Sequence, residues 1–493
     1  MSLTLAAALL SGTAAASPVD FHGFGAATMG RGAGGVALAD DAASVFLNPA
    51  ALTQLDGGQF VLGYAAIRYR FDALPDVSWD TNRDGRLTDA DDPLTPDLPM
   101  SSADGIMIAL GRPLGDRVGV ALDVFIPKDR LFRLHTFETE LPTYFMYENR
   151  PHRYALTGGA AVEPGGGLSL GAGVRMLPQV VIDAVFQVDM VVSGEAAGDS
   201  GQGSFDGAED ILSVGVDVND ITVDLVPGFA PTAGFQWELG AVAPALEGFS
   251  LGGTWRGTTG MPVDITLDMQ VNAAAEDIGD LEPTTVAVIL QGALELFDHY
   301  VPSQLQGGIS YETSDTLSLY ADVQYTRWEA FTLNVARLLD AELQASLLDL
   351  SELTITDGSG VSAQFRNTLG YRAGTEIKLP EWTLPGDAGT GRIALRGGFG
   401  YDPSPLAAQT DDTTLLDADR LIIALGAGFI HGEPFGLSGG PSVVDLFAQY
   451  QPLASAALTR EAEVPTAGYP AEGTTVPIGG DLLAAGIQWR LDY

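Results

Sequence analysis

The chain has 493 residues, 64 of them acidic and 24 basic, for a formal net charge of -40; it has no cysteine and 61 glycines, and 46% of it is apolar. So large an apolar share excludes an acidic disordered chain, the negative charge opposes nucleic-acid binding, and the lack of cysteine excludes disulfides, thiolate metal sites and a cysteine nucleophile. Length alone suggests two or three soluble domains.

Residues 1–16 place Leu3, Leu5, Leu9 and Leu10 among alanines, and Ala14, Ala15 and Ala16 precede Ser17 and Pro18. The run falls short of the ~20 apolar residues a spanning helix needs. Its small-residue end reads as a secretory signal peptide without the basic start; a buried N-terminal helix is the alternative. Residues 17–58 are rich in glycine and alanine and contain Ala39, Asp40 and Asp41, then Asn48, Pro49 and Ala50.

After residue 58 one event repeats: about ten residues of period-two alternation, then a turn or a long connection. Leu317, Leu319, Ala321, Val323 and Tyr325 alternate with Ser318, Tyr320, Asp322, Gln324 and Thr326. Leu483, Ala485, Ile487, Trp489, Leu491 and Tyr493 do the same against Ala484, Gly486, Gln488, Arg490 and Asp492. Successive strand side chains point to opposite faces, so each segment has one apolar and one polar side. Fourteen such segments fall near 60–71, 103–113, 117–127, 151–162, 167–178, 221–236, 248–258, 300–312, 315–328, 361–377, 391–402, 417–431, 442–453 and 479–493. Short turns hold Gly115 and Asp116, Gly165 and Gly166, or Ser314 and Asp315; long connections cover 72–102, 128–150, 179–220, 259–299, 329–360, 403–416 and 454–478. An even number of strands with alternating short and long connections is the pattern of a transmembrane antiparallel β-barrel, an all-β fold with both ends on the periplasmic side. A large soluble β-sandwich or solenoid explains the aromatic C-terminal face less well.

The first long connection holds a calcium-loop spacing. Asp80, Asn82 and Asp84 take positions 1, 3 and 5, Gly85 allows the turn at 6, Arg86 offers its carbonyl, Thr88 follows, and Asp91 closes the loop at position 12. This array offers hard oxygen ligands at calcium spacing. Asp91 replaces the usual glutamate and no flanking helix pair is evident, so a structural calcium pinning an insert at 76–96 is expected; a solvated acidic turn is the alternative. Two later connections show helical spacing: Val286, Ile289, Leu290, Ala293, Leu294 and Phe297, then Leu333, Val335, Leu338, Leu339, Leu343, Leu347 and Leu348. Helical outer loops of this kind form either an apolar landing groove or a cap.

The stretch from Phe21 to Asp56, with its glycine-rich start, Ala39-Asp40-Asp41, and Asn48, Pro49 and Ala50 before the first strand, resembles the N-terminal plug of the FadL/TodX-type hydrophobic-compound transporters of the Gram-negative outer membrane. Tyr401 through Pro405, Leu416 through Arg420, and the hairpin from Pro302 to Phe331 with Trp328 are also similar to that family. The resemblance implies a fourteen-strand barrel (59–493) with a lumenal hatch at 17–58. It implies passive transport of long-chain fatty acids or hydrocarbons, captured by outer loops and released sideways through a hatch-gated gap at a kinked third strand.

In such a barrel Arg366, Arg372, Arg392 and Arg396 project to the polar, lumenal face. They attract a carboxylate headgroup or pair with acids such as Asp322 and Asp445 or with the hatch. Phe21 and Phe24 either reach the ligand or pack the plug. His22, His135, His152, His299 and His431 are scattered without metal spacing, so no enzyme is expected. The expected partners are a hydrophobic small molecule and outer-membrane lipids, with the barrel acting as a monomer. A general porin and a calcium-dependent surface receptor or adhesin are the rival readings. The acids gather in the outer connections, Asp76 through Asp104 crowding the first, so the charge reads as an acidic crown above an apolar belt.

Overall fold

A computed structural model of the protein describes residues 25–39, 41–78, 93–94, 103–128, 144, 147, 154–193, 211–276, 285–313, 316–330, 337–345, 365–385, 389–406, 415–432, 440–459 and 475–493. Fourteen strands form the wall: β1 (Gln59–Phe71), β2 (Ala103–Pro113), β3 (Val118–Pro127), β4 (Ala155–Gly165), β5 (Leu168–Ser193), β6 (Ile211–Glu238) and β7 (Phe249–Arg256). The second half comprises β8 (Gln304–Thr313), β9 (Leu317–Thr326), β10 (Thr368–Lys378), β11 (Thr390–Asp402), β12 (Arg420–His431), β13 (Ser442–Pro452) and β14 (Gly480–Asp492). Each pairs antiparallel with its sequence neighbours in the wall, and β1 pairs with β14 from Gln59–Asp492 to Phe71–Gly480, closing the ring. A closed ring satisfies backbone groups without an edge, which is what a lipid-embedded sheet requires.

The alternation read from the sequence has a consistent hand. In β9 Leu319, Val323 and Tyr325 are exposed on the outside while Ser318, Asp322 and Gln324 are buried inside. In β14 Leu483, Ile487 and Trp489 face out and Gln488 faces in. The outside is therefore apolar and the inside polar, the arrangement for hydrocarbon surroundings. Among the described residues no helix is long and apolar enough to cross a membrane; the strands are what cross. Asp104 belongs to this wall rather than to the loop crown. It sits on β2, accepts a hydrogen bond from Tyr64 Oη at 2.6 Å, and pairs with Arg68 at 3.7 Å and Lys128 at 3.5 Å.

Three expectations change. The helical spacings at 286–297 and within 333–348 fall on strands Thr285–Val301 and Arg337–Ala345, and the described outer helix is the short Trp328–Ala330 turn. Val286, Val288, Leu290, Leu294 and Leu296 also recur at strand spacing. Strand Thr259–Glu276 on one side and Arg337–Ala345 on the other take up the backbone hydrogen bonds, so pairing decides an ambiguous pattern. Long connections 179–220 and 259–299 are largely strand too: β5 and β6 run on beyond the wall, and Thr259–Glu276 pairs parallel to the β5 extension. Finally, β10 begins at Thr368, with Phe365 held by an isolated bridge to Leu406.

Candidate functional site

Residues 25–55 run along the inner wall. Helix α1 (Ala26–Gly30) is followed by two 3-10 turns, Ala42–Val45 and Pro49–Gln54. Wall side chains hold the main chain from many sides. Gln488 Oε1 on β14 accepts from Ala26 N at 2.8 Å, and Gln449 Nε2 on β13 donates to Met29 O at 2.7 Å. Tyr320 Oη on β9 donates to Arg31 O at 2.5 Å, and Asp322 Oδ2 accepts from Gly35 N at 2.6 Å and Val36 N at 3.1 Å. On β6, Gln236 Nε2 donates to Ala39 O at 3.0 Å. The segment lies against bare backbone: a methyl group at Gly252 on β7 would sit 2.6 Å from Val36 O and 2.7 Å from Ala37 Cα. Glycine on the inner face is thus what lets a second layer of chain fit inside the ring. Below, Ala42, Ala43, Val45, Leu52 and Leu55 close on Val61, Met107, Ala109, Ala121 and Ala161 in one buried cluster.

Asn48, Pro49 and Ala50 are all buried here. Asn48 Oδ1 accepts from Ala50 N at 3.1 Å and so caps the turn that Pro49 opens. Its Nδ2 donates to Val36 O at 2.9 Å and to Phe235 O on β6 at 3.0 Å. The tripeptide is a rivet between two parts of the segment and the wall.

The arginines divide. Arg396 is buried between Glu376, to which Nε donates, and Asp445, to which Nη1 donates at 2.5 Å; Arg31 from the segment approaches the same Glu376 at 3.6 Å. Arg372 and Arg420 share Asp402 at 2.7 and 2.9 Å. Arg366 donates to Ser404 O at 3.3 Å, and Arg392, at the periplasmic end, to Leu379 O at 3.0 Å. The pairing of Arg396 with Asp445, one of the two sequence readings, is therefore what the lumen contains, whereas Asp322 serves the segment's backbone. Sequence reading missed Arg31, Glu376, and Arg175, whose guanidinium lies 4.0 Å over the Phe46 ring; an inward parity was the available signal, but not the partner. Phe21, Phe24 and the whole calcium set, Asp80, Asn82, Asp84, Arg86, Thr88 and Asp91, lie outside the described residues. Just outside that set, Val77–Ser78 pairs antiparallel with Pro93–Leu94, bringing the ends of the interval together.

Toward the outer mouth the lumen turns aromatic. Phe71 stacks on Tyr144 with centroids 4.1 Å apart, Tyr147 meets Phe71 at 5.1 Å and Tyr69 at 5.8 Å, and Trp328 packs on Phe365 at 6.2 Å. These join Leu406, Leu416, Leu453 and Val476 in a buried cluster continuous with Met29 of the segment. One carboxylate sits among them: Asp417 accepts from Ser404 Oγ at 2.8 Å and Tyr147 Oη at 3.2 Å. Burial pushes its carboxyl up to about 6, against the lowering effect of those hydrogen bonds and of Arg420. A hollow of about 20 Å³ lies between Ala26, Met29, Met107, Phe125, Phe447 and Gln488, room for water only. The resemblance implies a side gap at a kinked third strand; among the described residues β3 pairs without a register shift to β2 over Gly119–Pro127 and to β4 over Val118–Phe125.

No protein-family model matches the chain, and no curated protein matches it. Solved structures do. The crystal structure of a Pseudomonas aeruginosa FadL homologue is similar over 98% of this chain and 100% of that one, at 16% identity and a TM-score of 0.52. The CymD monoaromatic hydrocarbon channel aligns over 97% of this chain and 99% of that one (15% identity, TM-score 0.47), and the Pseudomonas putida toluene transporter TodX over 96% and 99% (11%, 0.47). The first of these likenesses shows that the fourteen-strand ring is the FadL-type fold.

Proposed function

We propose that the protein carries hydrophobic small molecules passively across the outer membrane as a single barrel. The observation that supports this is the lumen's character: a buried aromatic and aliphatic cluster at the outer mouth leads to a segment that fills the ring below. A porin for polar solutes wants an open, hydrated, charged channel, and here Arg396, Arg372 and Arg420 are neutralised by Glu376, Asp445 and Asp402. An apolar ligand would have to part the packed cluster of Phe71, Tyr144 and Trp328 to enter, and the segment at 17–58 serves as the hatch. With β3 paired on both edges, release sideways requires that pairing to open as well as the hatch to shift. Long-chain fatty acids and hydrocarbons are both candidate cargoes; a methylene is worth only about 1–3 kcal/mol of discrimination in an apolar pocket. The test is uptake into proteoliposomes of labelled oleate and of toluene, beside planar-bilayer conductance. Uptake of either with little ion current is expected; large, steady ion currents without uptake sink the proposal.

A second reading concerns the calcium spacing at 80–91. We propose that this loop binds calcium structurally, supported by its ligand spacing and by the short ladder at its base. Deleting 76–96 leaves transport intact under this view, whereas a calcium-dependent adhesin loses its function.

A further inference from the structure

The outer wall carries a hollow between β5 and β9. Cross-strand register builds it. Val323, Gly307, Gly253, Phe235 and Leu170 form one outward row across five strands, and Tyr325, Leu305, Trp255 and Ala233 form the row above. Gly307 leaves bare backbone between large side chains, and at Gly253 the Phe235 ring leans over the missing side chain. The result is a hollow of about 580 Å³ walled by Leu170, Phe235, Trp255, Leu305, Val323 and Tyr325, within the ~300–1,000 Å³ range of small-molecule sites.

Its upper edge is polar. Trp255 Nε1 donates to Ser303 Oγ at 3.1 Å, and Ser303 O accepts from Arg327 N at 2.9 Å. Arg327 is exposed, follows Tyr325 by two residues on the same face, and lies about 7 Å further toward the outer mouth. No acid among the described residues pairs with its guanidinium; the nearby Glu329 is engaged by Asn367, whose Nδ2 donates at 2.6 Å. In a chain of net charge -40, a guanidinium above an apolar hollow in the lipid-facing wall has the two-part chemistry of an anionic amphiphile.

We propose that this hollow binds one phospholipid of net negative charge, its acyl chain over Gly307 and its phosphate on Arg327. The site depends on the wall facing lipid and not on transport. The test reconstitutes the full chain in phosphatidylcholine vesicles carrying brominated phosphatidylglycerol, brominated phosphatidylcholine or brominated stearate. Quenching of Trp255 is read as the difference from Trp255→Phe, since the chain has 6 tryptophans. Phosphatidylglycerol is expected to quench at a several-fold lower mole fraction than phosphatidylcholine, and Arg327→Gln to erase that difference. Gly307→Leu should weaken quenching by both lipids; a Cβ at that outward position meets nothing within 4 Å, so the variant should fold. Equal quenching by the two lipids, or unchanged quenching in Gly307→Leu, overturns the proposal. Quenching by stearate but not phosphatidylglycerol also overturns it, since the occupant is then a permeant.

Discussion

Substituting Gly252 by alanine tests whether the hatch depends on a bare inner wall. Ordinary van der Waals contact begins near 3.4 Å, and the new methyl group would sit 2.6 Å from Val36 O and 2.7 Å from Ala37 Cα. The hatch main chain must then recede by about 0.8 Å (3.4 minus 2.6) from the wall, because both struck atoms are backbone and cannot rotate aside. Overpacking of this kind costs about 1–3 kcal/mol. Val36 O also accepts from Gln236 Nε2 at 3.3 Å, a bond with no slack for such a shift, adding about 1 kcal/mol. A total of about 3 kcal/mol raises the open population of this part of the hatch about 100-fold. Hydrogen exchange of the Val36 to Ala39 amides should accelerate by that factor, with a larger ion leak in planar bilayers. Gly307→Ala, facing open space on the outer side of the neighbouring strand, is the control. If Gly252→Ala exchanges and conducts like Gly307→Ala, the close-contact reasoning fails.

Arg396→Met leaves Glu376 and Asp445 buried without their shared cation and should cost about 3–5 kcal/mol, read as earlier loss of the compact band in heated gel samples; Glu376→Gln added to it should recover part. Asp417 ionises near pH 6 when folded against an ordinary 3.8, so its protonated form favours the folded mouth. That contribution is full below about pH 4 and lost as pH rises through 6, about 3 kcal/mol in all. Exchange at Tyr147 should quicken over that window, and Asp417→Asn should flatten the profile. Purified protein should take up calcium in a titration, and Asp84→Asn should weaken it at least about tenfold; absence of any calcium heat in the unaltered chain refutes the loop assignment.

The fourteen wall strands were legible because lipid outside and polar filling inside impose a strict two-residue period, as Leu319 against Tyr320 and Asp322 illustrates. Asn48 was legible as a marker but not as a rivet, since its partners Val36 and Phe235 are distant in sequence. Long-range pairing likewise hid the sharing of Glu376 by Arg31 and Arg396, and the hollow at Gly253 and Gly307 exists only through register. Outer strands such as Thr285–Val301 were misread because 3.6-residue and two-residue spacings coincide over short aliphatic runs.

The ladder joining β1 to β14 links residues more than 400 positions apart, and the hatch adjoins β1 directly. Contacts of such sequence separation form late, after the chain entropy between them has been overcome. Hatch bonds to Gln488, Gln449, Tyr320 and Gln236 need those strands already side by side. The segment's place inside the ring therefore rests on closure of the seam between the two ends of the wall.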